Sequence, residues 1–408
     1  MKTNNVRLGD LIKVRHGWAF KSKFFSEEDI DNPILVNIGN FKYDGGFRFE
    51  STKIKRYVGE YPIQYELKPN DILLIMTCQT SGGEILGVPA KVPSDSETYL
   101  HNQRLGKVEI MDESLVDEDF LYWLFLSSDF NRHLFSSASG TKILHTSPDR
   151  IESYQFSLPS IKKQKKVSDI LRSIQDKIDL NQVMNKTLEE MAETLYKHWF
   201  FDFEPYKDED FKESELGLIP SDWGVINIGN AVEILGGGTP KTSTNEFWED
   251  GDINWFSPTD LTSQKSLFVT NSAKKITQLG LEKSSAKLFK PYSIMMTSRA
   301  TIGEISINRN TSSTNQGFIT LIPNDSFTLY QLYFWLRTNM DRINSIANGS
   351  TFKEVSKTNF KMLPILKPAR IQTYINESET IFKQIESNIL EIEMLTELRD
   401  YLLPRLMS

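Results

Sequence analysis

At 408 residues, with 39% apolar and 25% charged side chains, the chain has the composition of a folded protein of two or three domains, each long enough to bury its own core. Its one cysteine, Cys78, excludes an internal disulfide framework and a Cys-based zinc site. The net charge of −7 argues at first against a nucleic-acid partner. The N-terminus leads into no apolar signal region, and apolar runs such as Ile72 to Met76 are too short to span a bilayer, so a cytoplasmic protein is expected.

The first ~155 residues mix short β-rich runs with turns. The run from Asp71 to Met76 reads as a buried strand, followed by Thr77-Cys78-Gln79-Thr80-Ser81-Gly82-Gly83. His101-Asn102-Gln103-Arg104 comes next, then a helix around Phe120–Phe130 with Trp123 at its centre. Ser139-Gly140-Thr141-Lys142 precedes a long helix. Along that helix the spacing Leu171, Ile174, Ile178, Asn181, Asn185, Leu188, Ala192, Leu195, Trp199 alternates three and four residues, which is a coiled-coil seam. An acidic junction follows. Between Asp202 and Glu215 stand seven acids and two lysines.

The same order then returns. At an offset of 220, Leu8-Gly9 meets Ile228-Gly229, Gly17 meets Gly237, Met76-Thr77 meets Met296-Thr297, and Gly83-Glu84-Ile85 meets Gly303-Glu304-Ile305. The offset falls to 213 at Asn102-Gln103 and Asn315-Gln316, to 212 at Trp123 and Trp335, and to 207 at Asn181 and Asn388. The run from Tyr292 to Met296 repeats the strand, and Leu329–Arg342 repeats the helix. The second seam runs Ile371, Tyr374, Ser378, Ile381, Ile385, Asn388, Ile392, Leu395 and on to Leu402. A duplication of this period implies one kind of task done twice, on two targets. The fold class expected is α+β: two similar mixed domains separated by two long helices that pair antiparallel as a coiled coil, with a pseudo-two-fold repeat. Asn181 and Asn388, at equivalent seam positions, are placed to fix register at some cost in stability. Neither helix has a second partner in sequence, so pairing with each other is the simplest arrangement; the alternative is two amphipathic helices packed independently on their own domains. About 33 helical residues span ~50 Å, enough to hold two domains on half-sites ~34–36 Å apart on a duplex.

Catalytic signatures are missing. The five histidines (His16, His101, His133, His145, His198) have no metal-ligand spacing. No G-x-S-x-G occurs. Gly236-Gly237-Gly238-Thr239-Pro240-Lys241-Thr242 resembles a phosphate loop, but Pro240 stands where glycine must precede the lysine, and a tight turn after a strand reads more simply. The only Asn-Pro, at Asn32-Pro33, lacks the methyltransferase tetrapeptide.

Binding residues are therefore sought among the repeated polar positions. The copies share a frame at Met76-Thr77 and Met296-Thr297 but differ at Gln79 and Arg299. Gln suits adenine and Arg suits guanine in the major groove. The candidate DNA-contacting residues are Thr77, Gln79, Thr80, Asn102, Gln103, Arg104, Thr141 and Lys142 in the first copy. In the second they are Thr297, Ser298, Arg299, Asn315, Gln316, Thr351 and Lys353. Lys and Ser/Thr in loops fit phosphate contacts. The same residues also suit purely structural work, Asn-Gln capping turns and glycine supplying positive φ. Trp123 and Trp335, within helical spacing, read as core. Basic stretches such as residues 13–16, 53–56, 162–166 and 287–290 are either local patches for a polyanion or solvated faces.

With these pieces in order, the chain resembles the specificity (S) subunit of a type I restriction–modification enzyme over essentially its whole length. The resemblance is carried by Leu188-Glu189-Glu190-Met191-Ala192-Glu193-Thr194-Leu195-Tyr196-Lys197-His198-Trp199-Phe200-Phe201-Asp202-Phe203-Glu204-Pro205 at the end of the central helix. Further pieces are Glu215-Leu216-Gly217-Leu218-Ile219-Pro220-Ser221-Asp222-Trp223, Gly251-Asp252-Ile253-Asn254-Trp255-Phe256 and Leu402-Leu403-Pro404-Arg405-Leu406. It implies target-recognition domains at 1–160 and 223–368, spacer helices at 161–200 and 369–408, and an acidic linker at 201–222. It implies a non-catalytic chain whose domains each read half of a bipartite asymmetric site in double-stranded DNA. The helices would set the gap and dock two methyltransferase (M) subunits, and restriction (R) subunits would join. S-adenosylmethionine, ATP and Mg²⁺ would sit on those partners, none on this chain. The competing class is a duplicated coiled-coil interaction scaffold without DNA specificity, distinguished by whether Gln79, Arg299, Lys142 and Lys353 fall on one concave basic face.

Overall fold

A computed structural model describes residues 5–27, 31–49, 54–80, 82–140, 142–349 and 353–407. The chain divides into two compact units, residues 1–177 with 394–408, and residues 178–393.

The first unit is built on a four-stranded antiparallel sheet in the order Ile12–His16, Leu105–Ile110, Ile72–Ile75, Pro89–Lys91. Ile72–Ile75 is buried at every position, as its unbroken apolar run requires of a strand covered on both faces. A second sheet is made of two-residue strands. At its centre Ile34–Leu35 runs parallel to Tyr99–Leu100 and antiparallel to Arg56–Tyr57. Asn5–Arg7 pairs with Gln155–Ser157 and so ties the start of the chain to the entry of the first long helix.

The second unit repeats this plan. Its main sheet runs Glu233–Gly236, Phe318–Ile322, Ile294–Thr297, Ile305–Asn308, with Phe268–Val269 added at the edge. Ile253–Phe256 lies parallel to Ser312–Thr314 and antiparallel to Lys274–Ile276. Gly224–Asn227 pairs with Pro364–Lys367. Strand order, strand direction and the single parallel pair of the smaller sheet all recur, so the duplication read in the sequence is a duplication of topology.

Each shorter helix expected as one piece is two. Glu118–Phe125 is followed by Ser128–Ser137, because Ser127 caps a new start by accepting the amide of Phe130. Leu329–Thr338 gives way to Met340–Ser345 at Asn339, whose backbone leaves the helical region. Trp123 and Trp335 are each 4% exposed and belong to the cores.

The long helices are Ile161–Phe200 and Gln372–Met407. In the second unit they pair antiparallel through a polar seam. Asn181 donates to Glu391 Oε2 at 2.8 Å, and Asn388 donates to Asn185 Oδ1 at 2.9 Å. Asn388 thus meets Asn185 and not its repeat counterpart Asn181, because antiparallel helices bring descending positions of one opposite ascending positions of the other. Both segments also pack on their domain: Ala192, Tyr196, Trp199, Tyr374, Phe382 and Ile385 share one core with the sheet residues Ile294, Met296 and Ile319. In the first unit Val167 and Leu171 enter the domain core, and Leu402, Leu403 and Leu406 lie against it. The junction after Phe200 is folded. Phe211–Ser214 and Gly217–Pro220 form a hairpin, and Arg370 holds Glu209 and Asp222 at its base.

Candidate nucleic-acid interface

In both units the repeated polar segments converge where the central strand of the main sheet ends. In the first unit the amide of Met76 bonds to Arg104 O, bringing the 101–104 turn beside the strand end, and Leu144–His145 pairs with Thr77–Cys78. In the second, Ser298 N donates to Gly317 O and Ala300 N to Lys353 O, which gathers the 315–317 turn and the 353–354 segment at the same place.

Glycine makes this assembly possible. A Cβ on Gly17 would lie 2.3 Å from the carbonyl oxygen of Asn102, and one on Gly237 2.1 Å from that of Asn315, so the two repeated glycines let one strand run against the repeated turn. Gly238 donates its amide to Thr314 O at 2.9 Å and abuts Ser285 and Ala286, so the glycine run is a packed turn with this N–H already used.

The candidates separate by burial. Thr77, Thr297 and Ser298 are buried. Thr77 Oγ1 lies 3.1 Å from His145 Nδ1, and Thr297 Oγ1 accepts the amide of Glu304. The hydroxyls of Thr77 and Thr297 are engaged within the frame, and Ser298 is held through its backbone, so these three candidates are buried where the sequence offered them as contacts. Asn102 and Asn315 are turn residues: Asn102 Oδ1 accepts the amide of Arg104 at 3.2 Å, and Asn315 Oδ1 that of Gly317 at 2.8 Å. Gln79, Gln103, Arg104, Lys142, Arg299, Gln316 and Lys353 are exposed. Gln316 accepts the hydroxyl of Thr239. Thr141 and Thr351 lie outside the described residues.

Gln79, Thr80, Asn102 and Arg104 line one cleft of ~520 Å³. The lining also includes Asn37, Asn40, Tyr43, Arg48, Lys55 and Glu27, of which the sequence singles out only Lys55, within the basic stretch 53–56. Among the described lining residues the cations outnumber the carboxylate, and amide and guanidinium side chains line the cavity, which suits base edges and phosphates. Thr80 donates its hydroxyl to Glu84, holding that carboxyl below the usual carboxylate range. Gln103 and Lys142 lie outside the cleft lining. One sequence signal for the missed wall existed. Asn37 and Asn40 form a capping box at the end of the Ile34–Leu35 strand, and Ser257 and Asp260 form the same box at the repeat position after Ile253–Phe256.

Beneath this surface His101 is buried, its Nε2 2.9 Å from Leu105 O. Burial pushes its pKa down to about 4, so the ring is neutral near pH 7. In the second unit Arg299 pairs across an antiparallel bridge with Glu354.

A family model described as "Type I restriction modification DNA specificity domain" matches this chain twice, at residues 2–190 and 220–394. The chain belongs to the type I restriction–modification DNA specificity family. It carries two of the family's DNA specificity domains. A HindI specificity subunit from Haemophilus influenzae is 24% identical over 95% of this chain and 96% of its own length. An MjaIX specificity subunit from Methanocaldococcus jannaschii is 34% identical over 45% of this chain and 44% of its own. The crystal structure of a type I system S subunit from M. genitalium shares the fold, with a TM-score of 0.60 at 14% identity over 99% of this chain and 96% of that one. This family covers the specificity component of such enzymes and not a catalytic one. Among the described residues no helix is long and apolar enough to cross a membrane.

Proposed function

We propose that this specificity subunit reads a bipartite, asymmetric sequence in double-stranded DNA, one half-site per domain, at the converging loops described above. The observation that carries the reading is that one frame, repeated in both units, offers different side chains at the same strand end: Gln79 and Arg104 lining a cleft in the first unit, Arg299 beside Glu354 in the second. The long helices set the gap between half-sites and dock two methyltransferase subunits, with restriction subunits joining that assembly. An apolar groove of ~770 Å³ along the paired helices, lined by Met191, Thr194, Leu195, His198, Glu377 and Ile381, supports docking there. S-adenosylmethionine, ATP and Mg²⁺ belong to the partners, and the chain works in the cytoplasm, where its DNA is.

The test is single-molecule methylome sequencing of an unmethylated host expressing the neighbouring methyltransferase with and without this chain. A split motif with modified adenines, present only with the chain, is the expected result. An active, co-purifying methyltransferase with no such motif would instead favour a scaffold without DNA specificity.

A further inference from the structure

The second unit places a carboxylate where a polyanion is expected, and its position is not an accident of the surface. The amides and carbonyls of Asn348 and Glu354 bond reciprocally at 2.9 and 2.8 Å, and those of Ser139 and His145 do the same at 3.0 and 2.8 Å. The two segments are therefore the same turn in the two units, and Glu354 stands where His145 stands in the first. Both side chains are exposed beside the end of the central strand. The frame keeps the place and changes the chemistry, as it does at Gln79 and Arg299.

Glu354 contacts Arg299 through Nε, at 3.8 Å, with both side chains 48% exposed. An exposed pair of that length adds less than about 1 kcal/mol to stability. The fold does not need it: Ala300 N to Lys353 O and Val355 N to Ser298 O already fix the segment through the backbone. Glu354 lies on the Nε side of Arg299, and among the described residues Nη1 and Nη2 of this half-exposed side chain have no hydrogen-bond partner, which leaves them available as a two-pronged donor. Such a fork matches guanine N7 and O6, and a carboxylate beside it matches the amino group of cytosine.

We propose that Glu354 is a specificity-determining residue, reading with Arg299 a single G·C pair in the half-site of the second unit: Arg299 takes the guanine, and Glu354 takes the cytosine amino group while holding the guanidinium in plane. The inference rests on the DNA-reading proposed above. A carboxylate that did neither would only repel phosphates, and removing it would strengthen binding to every sequence alike.

That contrast sets the experiment. The methyltransferase complex is assembled with wild-type chain, Glu354→Ala, Glu354→Gln and Arg299→Ala. Methylomes are sequenced, and binding to duplexes carrying or lacking the motif is measured at fixed salt. Glu354→Ala is expected to relax one position of one half-site, the position that Arg299→Ala also relaxes, with discrimination there falling about tenfold to hundredfold. The other half-site stays intact, and binding to motif-free DNA is unchanged or stronger. Glu354→Gln is expected to admit adenine at that position. An unchanged motif with uniformly tighter binding makes Glu354 a bystander charge and overturns the proposal. Loss of modification at every site in both Glu354 variants makes it a framework residue and overturns it equally. A wild-type complex that yields no bipartite motif refutes DNA-reading itself, whatever the Glu354 variants do.

Discussion

The polar seam of the helix pair invites a double-mutant cycle. Asn185 and Asn388 are 8% and 4% exposed and joined by one 2.9 Å bond, while Asn388 Oδ1 also accepts from the exposed Gln384. Asn185→Leu strands the buried Asn388 amide, which costs about 1–3 kcal/mol. Asn388→Leu strands Asn185 Oδ1 at a similar ~1–3 kcal/mol, whereas Gln384 recovers its bond from water. Replacing both removes the polar groups together and leaves two leucines facing each other, a change near neutral or stabilising. The cycle is therefore expected to show coupling of about 1–3 kcal/mol, the double variant being more stable than the sum of the singles. Urea unfolding of the four proteins measures it. Tryptophan fluorescence is the natural probe, because Trp199, Trp223, Trp248, Trp255 and Trp335 all lie in the second unit. Additivity within about 0.5 kcal/mol would refute the seam as drawn. The double variant should also tolerate slipped helix pairings that the asparagines now disfavour, visible as broadened or multiple unfolding transitions.

Three further outcomes are expected. His101 is neutral when folded, with its pKa lowered from 6.5 to about 4. The unfolded chain therefore takes up a proton first as pH falls, so stability is full above pH ~6.5 and is lost between there and pH ~4, by at most about 3 kcal/mol. His101→Gln should flatten that part of the stability–pH curve of the first unit. Gly237→Ala would press a methyl group against the Asn315 carbonyl, 2.1 Å away, and is expected to destabilise the second unit by at least about 2 kcal/mol. If modification requires both half-sites, as the proposed reading holds, the methylome should lose the whole motif. Removing one heptad from each long helix, at matched positions, shortens the pair by ~10 Å, about three base pairs of duplex. The methylome should then show both half-sites unchanged with a narrower gap, and an altered half-site would refute the helices as a spacer.

What the sequence disclosed depended on how far each signal reaches along the chain. The runs Ile72–Ile75 and Ile294–Thr297 are apolar enough to read as buried strands, and the heptads of the long helices extend far enough to set a period. The helix breaks at Ser127 and Asn339 were missed because each turns on one capping residue inside an otherwise helical pattern. The smaller sheets escaped for the opposite reason: strands of two residues, such as Ile34–Leu35 and Tyr99–Leu100, have no periodicity to detect. The candidate sites were legible in half. Repeated positions named the strand ends and turns, but repetition selects what the two copies share, and shared residues such as Thr77, Thr297, Asn102 and Asn315 turned out to build the frame. Residues that differ between copies, Gln79 against Arg299 and His145 against Glu354, are exposed, as are the shared Gln103 and Gln316. Lys55 stands in a basic stretch visible in the sequence, but Arg48 is brought to the same cleft by the fold, which no local pattern encodes.

Several of the acids behind the negative net charge are engaged in structural contacts. In the cluster from Asp112 to Asp119, Asp112 closes a turn on Ser114 and Asp117 caps a helix by accepting the amide of Phe120. Glu118 and Asp119 pair with Lys91, and Asp119 also reaches Arg172 on the first long helix. At the junction Glu209 and Asp222 flank Arg370. On the second long helix Glu386 and Glu393 hold Arg309, which is buried beside Phe268. These acids fasten helices and junction to the sheets. The strand ends carry Arg48, Lys55 and Arg104 in one unit and Arg299 and Lys353 in the other. Because exposed charges are screened beyond ~8–10 Å at physiological salt, a phosphate backbone at a strand end responds to those cations and hardly to acids on a distant helix face. In the second unit Glu354 stands as an exposed carboxylate beside Arg299 at the strand end, so Glu354, and not any of the lysines, is the residue there whose loss should change which bases are accepted.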